Sequence, residues 1–496
     1  MKARLSNIIL ILVVFIALCS CNGFRQPSTE FHLTFSEEAS PVPISGRVLL
    51  ILSSDTLIDP DIPSPMHPFI TFGMNFKNWN PGEKLILNKD NVDSFMSTID
   101  KLQGHYSLRA IVKTDSTSSL YYEDGIRFSD KIIFNTEPGK VNIIEINVNS
   151  VLTGFGFKER ENVVLLKLQS KLLSNFYNFP TYIEASVILP ASYSQDTSNY
   201  YPTVFVMPGW GATHAAPTHG NSQQNRYGMS GYGTDKIFVF LNQDCKYGYH
   251  VFADSENNGP RAKSFVTELI PYIETNYRVV KDANARFLLG QSSGGWAALW
   301  LQINYPETFG MVWAGSPDPL DFRDFIGHNL YSKDANLFYN TEGKLTPAIR
   351  TTTGRFTNKN WSEMESAMGV GQYQSFEAVF SKRNVNHDPE QFFDRKTGKV
   401  FSKTIENWKK FDLNLIIRDR SEELREQLAN KINIVVAEND DYYLDQSVKL
   451  FKQTLEELGF KANIMLLKEG GHNIWNDDIR KEMHEQMDEI FSKIIQ

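Results

Sequence analysis

The sequence predicts an α/β domain, in which helices flank a mostly parallel sheet, preceded by a β-sandwich-like domain. Between residues 182 and 496, apolar strand-like runs alternate with helical patterns, and this order requires crossover connections over a buried sheet. Between residues 41 and 151, short β-rich runs are separated by Pro, Gly, Asn and Asp, which is typical of a sandwich. The chain has 496 residues, of which 41% are hydrophobic, and this length suits two or three domains.

The N-terminal residues predict export. Two basic residues precede an apolar run over residues 8 to 18, which is shorter than the roughly 20 residues of a bilayer span and suits the core of a signal peptide. An uncleaved membrane anchor is the alternative. Leu18-Cys19-Ser20-Cys21 resembles the lipobox of bacterial lipoproteins. That resemblance implies a signal peptide over residues 1 to 20 and a lipid anchor at Cys21, which would hold an envelope lipoprotein on the periplasmic or outer surface of a membrane.

Cysteine usage and charge exclude several classes of partner. After removal of Cys19 and lipidation of Cys21, Cys245 alone remains, so neither an internal disulfide nor a cysteine metal site is expected. The formal net charge is −8, and nucleic acid is an unsuitable partner because phosphate binding needs clustered Lys and Arg. Residues 21 to 40 are predicted to be a polar tether.

The β-rich region, residues 41 to 151, contains strand-like runs such as GRVLLILSS and KVNIIEINV. Aromatic residues stand beside turn residues in PHPFITFGMNFKNWNPGEKL and LQGHYSLRAIV. A carbohydrate-stacking face is one interpretation, and a buried aromatic core is the favoured one. Residues 152 to 181 are predicted to connect this region to the second domain.

The second domain, residues 182 to 496, contains strand patterns in IEASVILPASY, YPTVFVMPGWG, KIFVFLN, ARFLLGQ, GMVWAGSP, KINIVVAEN and NIMLLKE. Helical patterns separate the later ones. The alternation is interrupted between about residues 318 and 420 by a polar, Asn-rich stretch that is long for a plain loop. We expect this insertion to be a mixed cap segment that could wall a substrate site.

Residues 290 to 294 read GQSSG, which fits the G-x-S-x-G pattern with Ser292 in the centre. A strand pattern precedes it and a helix pattern follows, as a nucleophile elbow requires, and the helix N-terminus favours developing negative charge. A nucleophile at Ser293 would need glycine at position 291, which is Gln. We therefore predict Ser292 as the nucleophile and the N–H of Ser293 as an oxyanion donor, against the alternative of a Gly/Ser turn without chemistry.

A serine nucleophile needs a base and an acid later in the chain. His472 follows a predicted late strand in a glycine turn, in NIMLLKEGGHNIW, and is the predicted base. The acids in KINIVVAENDDYYLDQ end the preceding strand. Asp440 is favoured, Asp441 is the alternative, and Glu438 lies still closer to the strand.

Two further loops follow predicted strands. In VFVMPGWGATH, the N–H of Trp210 or Gly211 is the predicted second oxyanion donor, and a simple strand-ending turn is the alternative. In FADSENNGP, the side chains of Asp254, Asn257 and Asn258 are predicted either to touch substrate at the sheet edge or to cap the next helix.

With these motifs in place, the chain from about residue 182 onward resembles the putative esterase family of α/β-hydrolases, which includes enterochelin esterases, esterase-D-like enzymes, feruloyl esterases and mycolyltransferases. The segments that carry the resemblance are GQSSGGWAALW, HVFADSENNGPRAKSFVTELIPYIE, WAGSPDPLDFRDF, ENDDYYLDQ and EGGHNIW. The family implies an α/β-hydrolase fold and cofactor-free hydrolysis of a carboxylic ester by Ser292, Asp440 and His472. Many relatives have histidine and glycine in the oxyanion turn, where this chain has Pro208-Gly209-Trp210-Gly211.

The expected substrate is a small-molecule or glycan-linked ester. Two other functions fit the sequence. The same three residues serve an acyltransferase that passes the acyl group to a sugar hydroxyl. A catalytically silent lipoprotein that binds glycans through its β-rich domain is the alternative from a different class.

Overall fold

The computed structural model describes residues 28–352 and 355–495. The predicted signal peptide, the lipidation site at Cys21 and the start of the tether lie outside the described residues. No helix within these two described ranges is long and apolar enough to cross a membrane.

The first part of the chain forms a nine-stranded sheet. Its strands are β1 Ser28–Phe35, β2 Ile44–Ser53, β3 Ile70–Trp79, β4 Leu85–Leu87, β5 Asp93–Phe95, β6 Gly104–Lys113, β7 Arg127–Ser129, β8 Ile132–Thr136 and β9 Val141–Val151. Their order is β4-β1-β9-β7-β6-β2-β3-β5, and β8 pairs with β6. Strands β1 and β9 are parallel, whereas β2 is antiparallel to both of its neighbours. The strand-rich region that the sequence predicts before the α/β domain is present, but its bounds are corrected, because β1 pairs with β9 and lies within the predicted tether, residues 21 to 40.

Strand β2 is buried on both faces, because successive side chains point to opposite faces of the sheet and those on both faces are apolar. Leu50 belongs to the core of the first sheet, which also buries Phe72, Phe76 and Trp79. Leu49 packs on the opposite face in a cluster with side chains from the predicted insertion. The aromatic residues of the segment ITFGMNFKNW are therefore core residues at these three positions, as the favoured interpretation has it.

The second sheet has eight strands in the order β10-β11-β13-β12-β18-β19-β20-β21. These strands are β10 Val163–Gln169, β11 Tyr182–Ile188, β12 Thr203–Met207, β13 Ile237–Leu241, β18 Arg286–Gln291, β19 Met311–Gly315, β20 Ile432–Ala437 and β21 Asn463–Leu467. Strands β12 to β21 of this sheet run parallel, and β10 and β11 form an antiparallel edge. Two short hairpins lie between β13 and β18, formed by β14 Asp244–Cys245, β15 Gly248–Tyr249, β16 Asp254–Ser255 and β17 Gly259–Pro260.

Helices cover both faces of this sheet. They are α1 Lys171–Tyr177, α2 Ser192–Gln195, α3 Ser222–Arg226, α4 Arg261–Ser264, α5 Ile270–Asn276, α6 Ser293–Asn304, α7 Asn358–Met368, α8 Gln372–Phe380, α9 Ser402–Trp408, α10 Leu413–Asp419, α11 Ser421–Gln427, α12 Leu444–Glu457 and α13 Asp477–Ile495, with a π-helical turn Phe265–Leu269 between α4 and α5. Along β18, Leu288 packs into one core and Phe287 and Leu289 into the other. The side chains of β18 thus alternate between two apolar cores, one on each face of the sheet. The sheet is therefore mostly parallel and flanked by helices, as the sequence predicts.

The insertion between β19 and β20 joins the two sheets. Its helix α7 ends against the first sheet, where Arg47 of β2 donates to the carbonyl oxygens of Ser366 (2.8 Å) and Ala367 (2.8 and 3.1 Å). A side-chain carbon at Gly73 of β3 would overlap the same Ala367 carbonyl, so glycine is needed for this close approach. The first sheet is thus packed directly against the segment predicted to wall the substrate site.

Candidate active site

Ser292 stands at the sharp turn between β18 and α6, with φ 58° and ψ −127°. A non-glycine residue with positive φ carries about 1 to 3 kcal/mol of strain, which the surrounding structure has to offset. Here, the N–H of Ser292 donates to the carbonyl oxygen of Gly315, at 2.9 Å. A side chain at Gly290 would overlap the Gly294 carbonyl, and one at Gly294 would overlap the backbone of Met207. The glycines of the motif therefore let β18 and α6 approach each other closely, with Ser292 at the turn between them.

Asp318 contacts the hydroxyl groups of both serines. Its carboxylate accepts a bond from Ser293 Oγ at 2.7 Å and a longer one from Ser292 Oγ at 3.4 Å. The side-chain amide of Gln372, in the insertion, donates to the same carboxylate at 3.4 Å. Burial raises the pKa of Asp318 to about 6, although the bond from Ser293 and the positive charge of His472 act in the opposite direction.

His472 and Asp440 form the second part of the site. Nδ1 of His472 lies 2.9 Å from Oδ2 of Asp440, whose side chain has no exposed surface. The other carboxylate oxygen accepts the backbone N–H groups of Tyr442, at 2.9 Å, and Leu444, at 3.4 Å. Burial raises the pKa of Asp440, but the bond and charge of His472 and these two backbone bonds outweigh it, so that the pKa is lowered. An ionised Asp440 can orient the imidazole and stabilise its protonated form.

The neighbouring acids occupy different places. Asp441 accepts the backbone N–H of His472 at 2.8 Å, and so it supports the loop instead of the imidazole ring. Glu438 is exposed. The side-chain amide of Gln291, next to Ser292, donates to the carbonyl oxygen of His472 at 2.6 Å and ties the two loops together. Of the acids that the sequence offers, the structure brings Asp440 to the ring of His472.

The predicted oxyanion turn lies against Ser292. A side-chain carbon at Gly209 would be 3.2 Å from the carbonyl oxygen of Gln291 and 3.4 Å from Cβ of Ser292. Trp210 and Gly211 line the same cavity as Ser292. Ser293 is the first residue of α6, and an N–H in the first turn of a helix has no partner inside the helix. The predicted donors and the predicted nucleophile are therefore neighbours in space.

The loop with Asp254, Asn257 and Asn258 lies outside this cavity. Asp254 accepts two backbone N–H groups at the start of α4, at 2.7 and 3.1 Å, and so it caps that helix. The buried amide of Asn257 donates to two backbone carbonyls of the insertion, at 2.9 and 3.1 Å. Asn258 is buried beside Cys245. None of these three residues lines the cavity that contains Ser292, and Asp254 follows the alternative expectation, the capping of the next helix.

Ser292 and His472 open into a cavity of about 440 Å³, which is the size of a small-molecule site. Three parts of the chain line it. The α/β domain supplies Gly209, Trp210, Gly211, Arg226, Gln291, Ser292, Asp318, Tyr442, Leu444 and His472. The insertion supplies Ile326, Trp361, Met364, Glu365, Met368, Val370, Gly371, Gln372 and Tyr373, and the first sheet supplies Ile62, Pro63, Ser64, Pro65, Ser119, Leu120, Tyr121 and Tyr122. Within the described part of the chain, no cluster of three or more His, Cys, Asp or Glu side chains could hold a metal ion.

The fold and this constellation define a serine hydrolase of the α/β-hydrolase class. The family model described as "Putative esterase" matches residues 178–456, which is more than half of the chain, and the chain belongs to that family. The protein is accordingly a carboxylic ester hydrolase, as its resemblance to the family implies. No curated protein matches the chain.

Solved structures similar to the chain include a ferulic acid esterase (18% identity, TM-score 0.38, covering 66% of this chain and 97% of that one). Another is FphF, a fluorophosphonate-binding serine hydrolase of Staphylococcus aureus (13% identity, TM-score 0.40, covering 66% of this chain and 97% of that one). A third is an S-formylglutathione hydrolase from Agrobacterium tumefaciens (12% identity, TM-score 0.38, covering 68% of this chain and 97% of that one). Likenesses at this level carry no information about the substrate of this chain.

Proposed function

We propose that the protein is an exported, membrane-tethered serine hydrolase that cleaves carboxylic esters through an acyl-enzyme. The observation that supports the reaction best is the 2.9 Å contact between His472 Nδ1 and the buried Asp440, in the same cavity as a strained Ser292. Asp440 holds the imidazole so that its other nitrogen is free to act as a base.

In the proposed first half-reaction, Oγ of Ser292 attacks the ester carbonyl carbon while His472 takes the hydroxyl proton. The oxyanion accepts hydrogen bonds from the N–H of Ser293 and from that of Trp210 or Gly211, and each such donor contributes about 3 to 4 kcal/mol to the transition state. Collapse of the tetrahedral intermediate breaks the bond to the alcohol oxygen, which receives the proton from His472. Water then attacks the acyl-enzyme by the same route and releases the acid and Ser292.

Paired serine variants test this assignment. Ser292→Ala should abolish hydrolysis of 4-nitrophenyl acetate, and Ser293→Ala should keep most of it because a backbone N–H survives the substitution. A fluorophosphonate probe should label the wild-type protein at Ser292, as located by mass spectrometry. Loss of activity in Ser293→Ala with retention in Ser292→Ala would overturn the assignment. Product analysis with an added sugar acceptor separates hydrolysis from acyl transfer.

Export and tethering are supported by the sequence alone, through the basic start, the short apolar run and Leu18-Cys19-Ser20-Cys21. Expression of the full chain in a bacterial host with an alkyne-tagged fatty acid should label the wild-type protein and place it in the membrane fraction. Cys21→Ser should lose the label. Equal labelling of the two proteins would contradict lipidation at Cys21.

A further inference from the structure

Two loops of the first sheet reach the cavity that contains Ser292. The first spans residues 62 to 65 and contributes one isoleucine and two prolines. The second spans residues 119 to 122 and contributes Leu120, Tyr121 and Tyr122. Ser64 and Ser119 also line the cavity, and the other side chains of the two loops are apolar or aromatic. Both loops belong to a region that the sequence predicts to be a separate accessory domain. We call these two loops the β-domain wall.

The second loop of the β-domain wall is fixed to the rest of the molecule. The carboxylate of Asp244, in the short hairpin that follows β13, accepts hydrogen bonds from the N–H of Ser119, at 3.0 Å, and from its hydroxyl. The hydroxyl of Tyr121 donates to the carbonyl oxygen of Met368 at the end of α7. Because one residue of the loop is bonded to the α/β domain and another to the insertion, the wall has a defined position beside the nucleophile.

The insertion lines the cavity beside the wall and is also mostly apolar there. Its apolar lining residues are Trp361, Met364, Met368 and Val370, of which Val370 packs in one cluster with Tyr121 of the wall. Glu365 lies there as well, but its carboxylate is bonded to the indole N–H of Trp361 at 2.8 Å and to a backbone N–H of α8 at 3.0 Å. A mostly hydrocarbon surface on the wall and on the insertion favours an apolar ligand group over a carbohydrate, whose hydroxyls need hydrogen-bond partners.

Two aromatic side chains of the cavity remain substantially exposed. Tyr122 of the wall keeps 47% of its surface exposed, and Trp210 of the oxyanion turn keeps 37%. Tyr121 and Tyr373, which also line the cavity, are buried. These exposed rings give a ligand apolar surface to contact beside the nucleophile. Burial of that surface on binding is favourable.

We propose that the β-domain wall is a substrate subsite that binds a bulky apolar or aromatic group of the ester, so that the first sheet forms part of the active site. This proposal rests on the proposed role of Ser292 and deepens it, since it names the substrate class that the site selects. Tyr122 is the specificity-determining residue, because its ring is the largest exposed surface that the wall offers to a ligand among the residues named above.

Three esters test the subsite in a titration assay that needs no chromophore: ethyl acetate, methyl 3-phenylpropanoate with its bulky acyl group, and 2-phenylethyl acetate with its bulky alcohol. Tyr122→Ala should lower kcat/KM for at least one bulky ester by about tenfold or more, as expected for losing a ring contact. It should leave kcat/KM for ethyl acetate within about twofold. Tyr122→Phe should keep the selectivity of the wild type, and Tyr122→Gln should lose it.

Tyr200→Ala is the matched control, because Tyr200 is 60% exposed and lies outside the cavity. It should change none of the three rates. Equal effects of Tyr122→Ala on all three esters, or no effect on any, would overturn the subsite. Failure of the subsite proposal can be told apart from failure of the proposed function. If the proposed function were wrong, the wild-type protein and Ser292→Ala would hydrolyse ethyl acetate at the same rate.

Discussion

His472 contacts two adjacent acids in two different ways. Its ring nitrogen Nδ1 lies 2.9 Å from the carboxylate of Asp440, whereas its backbone N–H donates to the carboxylate of Asp441 at 2.8 Å. Asp440 is buried in the turn that follows β20, and Asp441 is the next residue of that turn. The first acid is placed to set the charge and tautomer of the imidazole, and the second to hold the loop that carries it.

This division predicts unequal effects of isosteric substitutions. Asp440→Asn should lower kcat for 4-nitrophenyl acetate by about 10³- to 10⁴-fold, because an amide can hold the wrong tautomer and cannot stabilise the imidazolium. Asp441→Asn should lower it by less than about tenfold, because an amide oxygen still accepts the backbone N–H. The comparison needs only steady-state rates at one pH. A larger loss in Asp441→Asn than in Asp440→Asn would reverse the two roles.

The residues with local sequence signals were predictable. Ser292 lies between glycines at a strand end, and His472 and Asp440 follow strands of the same sheet. Asp318 was missed, although it stands in the same kind of position in GMVWAGSPDP, after β19. Its contact with the serines arises because β18 and β19 are parallel neighbours whose carboxyl ends meet, and the order of strands in a sheet is not a local property.

The position of the β-domain wall could not be predicted from the sequence, for a related reason. The contacts of Ser119 with Asp244 and of Tyr121 with Met368 join distant parts of the chain. Neither hydrophobic periodicity nor turn composition predicts contacts between residues so far apart in the chain. The sequence therefore predicts the first sheet as a separate domain. The aromatic pattern in that domain indicates burial, and it carries no information about which loop reaches the nucleophile.

Asp318 should make stability depend on pH. Burial raises its pKa from 3.8 to about 6, so the folded protein keeps a proton that the unfolded chain releases between these values. Wild-type stability therefore falls as the pH rises through this window. Relative to wild type, the free energy of unfolding of Asp318→Asn should rise by about 1 to 3 kcal/mol between pH 4 and pH 7. Urea unfolding monitored by tryptophan fluorescence measures it.

Asp334, an exposed acid of the insertion, offers the control. Asp334→Asn should show no such change between the two pH values. A constant difference between Asp318→Asn and wild type across the window would mean that the carboxyl group of Asp318 has the same pKa in the folded and unfolded states.

Arg350 links the insertion to the acid turn. It donates to the backbone carbonyl of Asp440 and, at 2.7 Å, to the carboxylate of the buried Asp445, which Lys449 also contacts at 2.9 Å. Arg350→Met should lower the free energy of unfolding by about 2 kcal/mol and kcat by about tenfold, because the turn that holds Asp440 loses its support. Lys449→Met, which removes the other ion-pair partner of Asp445, should lower stability by about 1 kcal/mol and leave kcat unchanged. A matched loss of kcat in both variants would assign the effect to Asp445 instead.

Two glycines of the oxyanion turn should separate catalysis from stability. A methyl group at Gly209 would press on the carbonyl oxygen of Gln291 and on Cβ of Ser292, at 3.2 and 3.4 Å, and so would push the turn away from the nucleophile. Gly211 has open space around it but a φ of 87°. Gly209→Ala should therefore lower kcat by about tenfold or more at nearly unchanged thermal stability, since small displacements of donors are costly in rate. Gly211→Ala should instead lower the free energy of unfolding by about 1 kcal/mol through backbone strain. Steady-state kinetics and thermal unfolding of both variants measure the contrast, and an unchanged kcat in Gly209→Ala would mean that this turn does not bind the oxyanion.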